Sequence, residues 1–286
     1  MAYTTRISAA ELAANLHKSD WVIFDCRFSL ADETAGGKAY RQAHIPGARY
    51  ADLNKQLSAP VKSYTGRHPL PDFSALSQLL GAWGVGNRSQ VVAYDDVGGA
   101  FAGRMWWLLR AMGHQDVAVL DGGINHWQKQ KLPLTTALPK ITPSHFRYYL
   151  DQQQWLSAAE VENALAANSI TLIDARTPER FQGLREPIDP VAGHIPKAVN
   201  RPFQLNLNKQ GLFLQPEQLN TQFRALINTR PPTQIVHMCG SGVTACHNLL
   251  AMEIAGLSGS KLYAGSWSEW IVNKNKTIGS QEIIVG

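Results

Sequence analysis

The chain is written twice, and the repetition constrains it more than any other feature. WVIFDCR (21–27) precedes YRQAHIPGARYADL (40–53), and ITLIDAR (170–176) precedes VAGHIPKAVNRPF (191–203), so Asp-x-Arg and His-Ile-Pro recur in the same order. Each half continues from an apolar run through a loop into a helix-like stretch, VVAYDDVGGAFAGRMWWLLRAMG (91–113) and IVHMCGSGVTACHNLLAMEIAG (235–256). VAVLDGGINHW (117–127) and KLYAGSWSEW (261–270) close the two halves. The offset drifts only from 149 between Asp25 and Asp174 to 143 between Trp127 and Trp270, which implies two copies of one domain with small loop differences.

Short Val/Ile/Leu-rich runs alternate with helical stretches. SAAELAANLHK (8–18) and SAAEVENALAAN (157–168) each begin with a serine followed three residues on by glutamate, the pattern of a capping box. Strands that are continuously apolar are buried on both faces, so the expected class is α/β, with a parallel sheet in each half covered by helices on both faces. Residues 132–155 carry three prolines and little periodicity and read as a surface linker. The expected organisation is therefore a domain over 1–135, a linker over 136–154 and a second domain over 155–286. A chain of 286 residues is long enough for two ordinary cores.

The 27 basic residues are scattered with no run of five, which argues against a nucleic-acid partner; the net charge of +5 suits small anionic substrates. Cys26, Cys239 and Cys246 form no framework, CxxC pair or Cys/His cluster, so a reducing compartment is expected and no metal or organic cofactor is indicated. The first twenty residues lack an apolar signal core, and no window approaches the roughly 18 apolar residues of a membrane span. The expected location is cytoplasmic, with no membrane partner.

Residues present in both halves, Asp25 with Arg27, Asp174 with Arg176, and His44 with His194, read as scaffold. Chemistry belongs where the halves differ. Aligning VVAYD with IVHMC sets Asp95 opposite Cys239, a carboxylate opposite a soft nucleophile. In open α/β sheets ligands bind where strands end and helices begin, and a loop of small residues there lets backbone N–H groups converge on one point. Here that point is the Cys239 sulfur, ringed by Gly240, Ser241, Gly242, Val243 and Thr244. Such a setting favours negative charge on the sulfur. Cys26 within a strand and Cys246 within a helix read as inert. A cysteine-dependent phosphatase needs an arginine six positions after its cysteine to clamp phosphate; that position is Ala245.

Through AHIPGA (43–48), GHIPKA (193–198), CGSGVTA (239–245) and AGSWSEW (264–270), the chain resembles the rhodanese superfamily. Over its whole length it is similar to sulfurtransferases with two tandem rhodanese-like domains, the first non-catalytic and the second catalytic. Ala51 and Lys197 depart from the pattern, the first standing for a larger aliphatic and the second for glycine. The resemblance implies that Cys239 takes sulfur from a small anionic donor as a persulfide and passes it to a thiol, cyanide or thioredoxin-like acceptor. Loops of the form Cys-Gly-Ser-Gly-Val-Thr resemble those of 3-mercaptopyruvate sulfurtransferases, whereas thiosulfate-specific members carry cations directly after the cysteine. Thiosulfate is the alternative donor, and a non-catalytic persulfide or partner-binding module is the alternative from another class.

The same resemblance implies a proton relay through Ser241 and His68 of RHPLP; the carboxylate expected to complete it falls at Asn54, with Asp52 two residues away. Arg180 in ERFQG matches the arginine that binds the donor's oxygens. A second family arginine has no direct match, its position being Asp189, and Arg185 is the nearest substitute. Gly240, Gly242, Val243 and Thr244 complete the expected donor site. Phe101 and Arg104 match positions near the cleft between domains.

Overall fold

A computed structural model describes residues 2–273 and 276–279. In the first half, β1 (Arg6–Ile7), β2 (Trp21–Asp25), β3 (Ala48–Tyr50), β4 (Gln90–Tyr94) and β5 (Val117–Leu120) alternate with α1 (Ala9–Asn15), α2 (Ala35–Gln42), α3 (Phe73–Ala82), α4 (Ala102–Ala111) and α5 (Gly123–Lys129). The second half repeats the order with β6 (Trp155–Leu156), α6 (Ala158–Ala166), β7 (Thr171–Asp174), α7 (Pro178–Phe181), β8 (Val199–Asn200), α8 (Pro216–Ile227), β9 (Ile235–Met238), α9 (Ala245–Ile254), β10 (Lys261–Tyr263) and α10 (Ser266–Trp270).

The sheets run β1-β5-β4-β2-β3 and β6-β10-β9-β7-β8, the same permutation, and every pairing is parallel. The central strands β4 and β9 are buried at every position, as strands covered on both faces must be. One core gathers Leu12, Ile23, Ile45, Val92, Leu120 and Trp127, and the other Val161, Leu172, Ile195, Val236, Tyr263 and Trp267. Both capping boxes form: Ser8 with Glu11 at α1 and Ser157 with Glu160 at α6. Among the described residues no helix is long and apolar enough to cross a membrane.

The chain divides into two compact units, one of residues 1–60, 70–152 and 207–214, the other of 61–69, 153–206 and 215–286. Two short segments thus belong to the unit remote in sequence, and 61–69 carries His68 into the second unit. The stretch after α5 is irregular, but it is tied down along the first unit. Ser144 donates its N–H to the Gly81 carbonyl at 2.8 Å, and Ser77 Oγ donates to the Phe146 carbonyl at 2.7 Å. The N–H of Asp151 reaches the Ala111 carbonyl at 3.0 Å.

The duplicated motifs have a mechanical explanation. Arg27 binds Asp25 through Nε and Nη2 and then donates Nη2 to the Ala43 carbonyl at 2.7 Å, beside the first His-Ile-Pro turn. Arg176 does the same with Asp174 and the Gly193 carbonyl, at 2.7 and 2.8 Å. His44 Nδ1 donates to the Tyr40 carbonyl and its ring stacks on Tyr40, and His194 repeats this with Phe181; in both pairs the ring centroids are 4.0 Å apart. These groups brace turns. Lys197 takes the left-handed conformation (φ 68°) that Gly47 takes in the first copy (φ 81°), a conformation uncommon for a side-chain-bearing residue. Arg104 is wholly buried within the first unit, its Nε donating to the Leu57 carbonyl at 3.5 Å, so its surroundings there are those of a packing residue.

Candidate active site

β9 ends at Met238, and the next residue is Cys239. Its backbone is held by Ser266, whose Oγ accepts the Cys239 N–H at 3.0 Å and donates to the Tyr263 carbonyl at 2.8 Å. Ser266 adopts φ 54°, a conformation rare outside glycine, at the head of α10. The N–H groups of Trp267 and Ser268 donate to the carbonyls of Cys239 and Gly240 at 3.1 and 2.9 Å, so the loop is sewn to the start of α10.

Residues 240–244 then turn above the sheet into α9. The Gly242 N–H donates to Cys239 Sγ at 3.1 Å. Gly242 has φ 75°, and a Cβ there would lie 2.2 Å from the Ala264 carbonyl oxygen, so only glycine allows this amide to face the sulfur. α9 begins at Ala245 in the same region, and the positive end of a helix dipole favours negative charge. Cys26, one residue past β2, is buried, which pushes its thiol well up, and Cys246 is enclosed in α9 with its thiol directed at the Gly242 carbonyl.

Ser241 and His68 meet: Ser241 Oγ lies 2.7 Å from His68 Nδ1, and both residues are buried. The pair spans 173 residues of sequence and joins the loop to the segment that enters the second unit. Asp52 belongs to the first unit, where its Oδ1 accepts the N–H groups of Asn54 and Lys55 at 2.9 and 3.1 Å and caps a local turn.

Arg180 stands over Gly240: a Cβ built there would lie 3.4 Å from its Nη2 and 3.6 Å from its Nη1. Its Nε donates to both oxygens of Glu186 at 3.0 Å, and its Nη2 reaches Asp189 Oδ2 at 3.1 Å. Arg185 is not brought to this place. Its side chain is exposed and its N–H donates to the Glu179 carbonyl, while the turn after α7 directs Glu186 and Asp189 inward. The guanidinium beside Arg180 belongs to Arg67, whose Nη2 lies 2.9 Å from the same Cβ position and whose Nη1 is paired with Asp189.

Among families of known domains, the rhodanese-like domain matches residues 8–130 and again 157–273. The chain belongs to the rhodanese family. Of its relatives, a probable 3-mercaptopyruvate sulfurtransferase of Pseudomonas aeruginosa is 48% identical over 96% of this chain and 97% of that protein. A putative thiosulfate sulfurtransferase of Mycobacterium tuberculosis is 38% identical over 96% of both chains. The crystal structure of a 3-mercaptopyruvate sulfotransferase from Escherichia coli, 29% identical, superposes with a TM-score of 0.79 over 93% of this chain and 100% of the other.

In this rhodanese-family protein, sequence reasoning singles out Cys239, Ser241, His68 and Arg180 and misses Arg67, Glu186 and Ser266. The signal for Ser266 lies in the repeat itself, where Gly123 of the first copy stands at its place. The sequence carries no comparable signal for Arg67, whose partner Asp189 is 122 residues away.

Proposed function

We propose that the protein is a sulfurtransferase that moves a sulfur atom from 3-mercaptopyruvate through a Cys239 persulfide to an acceptor. The observation that carries the reading is the Cys239 sulfur, which receives the Gly242 amide while Ser241 of the same loop meets His68. Cys239 thiolate attacks the donor's sulfur; an S–S bond forms as the donor's C–S bond breaks, and the electron pair leaves on carbon as pyruvate enolate. The donor's thiol proton, carried by Ser241 and His68, ends on that carbon and gives pyruvate. An attacking thiol, cyanide or thioredoxin-like protein then takes the outer sulfur and restores the thiolate. Arg180 binds the donor's carboxylate, and the amides and small residues of Gly240, Gly242, Val243 and Thr244 hold it over the sulfur.

On this reading the second domain, beyond a linker at 136–154, is catalytic, and the first is not, because Asp95 replaces the nucleophile. A cytoplasmic setting accords with a thiol that works reduced and with three cysteines that are all free. A second donor, thiosulfate, is favoured by one observation: two guanidinium groups, from Arg67 and Arg180, approach Gly240, and paired cations suit a dianion. Turnover with 3-mercaptopyruvate and with thiosulfate, cyanide being the acceptor in both, separates the two. A higher kcat/KM for 3-mercaptopyruvate is expected; a clear preference for thiosulfate contradicts the assignment.

A further inference from the structure

We propose that Arg67 is a donor-binding residue, supplying from a remote segment the second guanidinium that Asp189 does not. The inference rests on the mercaptopyruvate reading above and adds a residue to its site.

An ion-pair ladder runs from Asp174 to Arg176 at 2.7 Å, to Glu186 at 3.4 Å, to Arg180 at 2.8 Å and to Asp189 at 3.1 Å. Arg67, joined to the other oxygen of Asp189, is its last member. Without Arg67 the ladder holds three carboxylates against two guanidiniums, and it stands over the loop that must admit an anion. Arg180 alone cannot offset this, since its Nε and Nη2 are already committed to Glu186 and Asp189. Arg67 restores neutrality at the mouth of the site.

The Arg67 backbone is pinned by its N–H to Ser268 Oγ at 3.0 Å, and Ser268 is itself sewn to the Gly240 carbonyl, so the residue is fixed relative to the loop. Its Nη1 is held by Asp189, its Nη2 lies over Gly240, and its Nε is buried with no hydrogen-bond partner among the described residues. The side chain keeps 27% of its surface open to solvent. A guanidinium edge with an unused buried donor, tethered at one end and open at the other, has the form of a carboxylate-binding fork. Asp189 then serves as the clip that holds the two arginines side by side, and His68, the next residue, carries the same segment on to Ser241.

The test uses the full chain and two independent readouts. Arg67→Ala should raise KM for 3-mercaptopyruvate by about 10- to 100-fold, the range for a lost charge-assisted contact, with kcat within a few-fold. Arg67→Lys should recover part of the loss. The second readout needs no sulfur donor: Cys239 is alkylated with iodoacetate and with iodoacetamide, the S–C bond forming as iodide leaves. The ratio of the two rates reports carboxylate binding at the loop and should fall at least several-fold in Arg67→Ala. The inverted pair, Arg67→Asp with Asp189→Arg, should restore the ratio toward wild type. An unchanged ratio, or a kcat loss with KM unchanged, overturns the assignment of Arg67. Wild-type enzyme that does not turn over 3-mercaptopyruvate yet shows the ratio effect overturns the donor reading and leaves Arg67 as the anion-binding residue.

Discussion

Asp95 is the carboxylate counterpart of Cys239, and it fills its own cradle. Its Oδ1 accepts the N–H groups of Val97 and Gly99 at 2.8 and 2.9 Å, and its Oδ2 those of Phe101 and Ala102 at 2.8 Å. The loop after the central strand is thus an anion cradle in the first domain, closed by a side chain that cannot leave. In the second domain the same turn receives a sulfur. Asp95→Ala should strip four backbone amides of their partner and destabilise the first domain by about 2–4 kcal/mol, with Asp95→Asn milder. Chemical denaturation measures this; a loss below about 0.5 kcal/mol contradicts the cradle.

Removing the Ser241 hydroxyl or the His68 imidazole separates the donors. Mercaptopyruvate leaves as a carbon base that needs a proton, whereas sulfite leaves thiosulfate without one. Ser241→Ala and His68→Ala should each lower kcat with 3-mercaptopyruvate by roughly 100-fold, the lower range of general acid–base catalysis, and change thiosulfate turnover by only a few-fold. Equal losses with both donors would assign the pair to loop structure.

How much of this is legible in the sequence depends on the range of the interactions. The capping boxes at Ser8 and Ser157 span three residues and follow from local chemistry. The sheets follow from repetition, since two copies of one pattern exclude most alternatives. Cys239 stands out because the copies differ there. Arg67 does not, because its partner Asp189 is 122 residues away and nothing in TGRHPLP separates a site arginine from a surface one. Arg185 is the nearer substitute by sequence, but its side chain is exposed, and a linear count carries no information about facing.

Arg180→Ala should raise KM for the anionic donor by about 10- to 100-fold, from the loss of about 1.5–3 kcal/mol of charge-assisted hydrogen bonding. It also leaves Glu186 without its bidentate partner, so Arg180→Lys, which keeps the charge and loses the fork, should fall between. Unchanged KM in both variants would place Arg180 outside the donor site.

His237 in β9 gives the second domain a pH dependence. It is fully buried, with Nε2 3.1 Å from Met252 Sδ, and burial, reinforced by Arg201, holds its pKa down at about 3. The folded imidazole stays neutral while the unfolded one gains a proton below about 6.5. Its effect on stability is therefore absent at neutral pH and becomes a penalty as pH falls from about 6.5 toward 3, by about 1.4 kcal/mol per unit. Unfolding free energies between pH 7 and 5 should fall more steeply for wild type than for His237→Leu; parallel slopes would contradict a neutral buried imidazole.

The central claim is that one sulfur, Cys239, carries the transferred atom. Intact and peptide mass spectrometry after exposure to 3-mercaptopyruvate without acceptor measures this directly. The account predicts a gain of one sulfur atom on the Cys239 peptide, reversed by cyanide and absent in Cys239→Ser, with Cys26 and Cys246 unmodified. A gain on either of those two, or an unchanged mass in wild type, would contradict it.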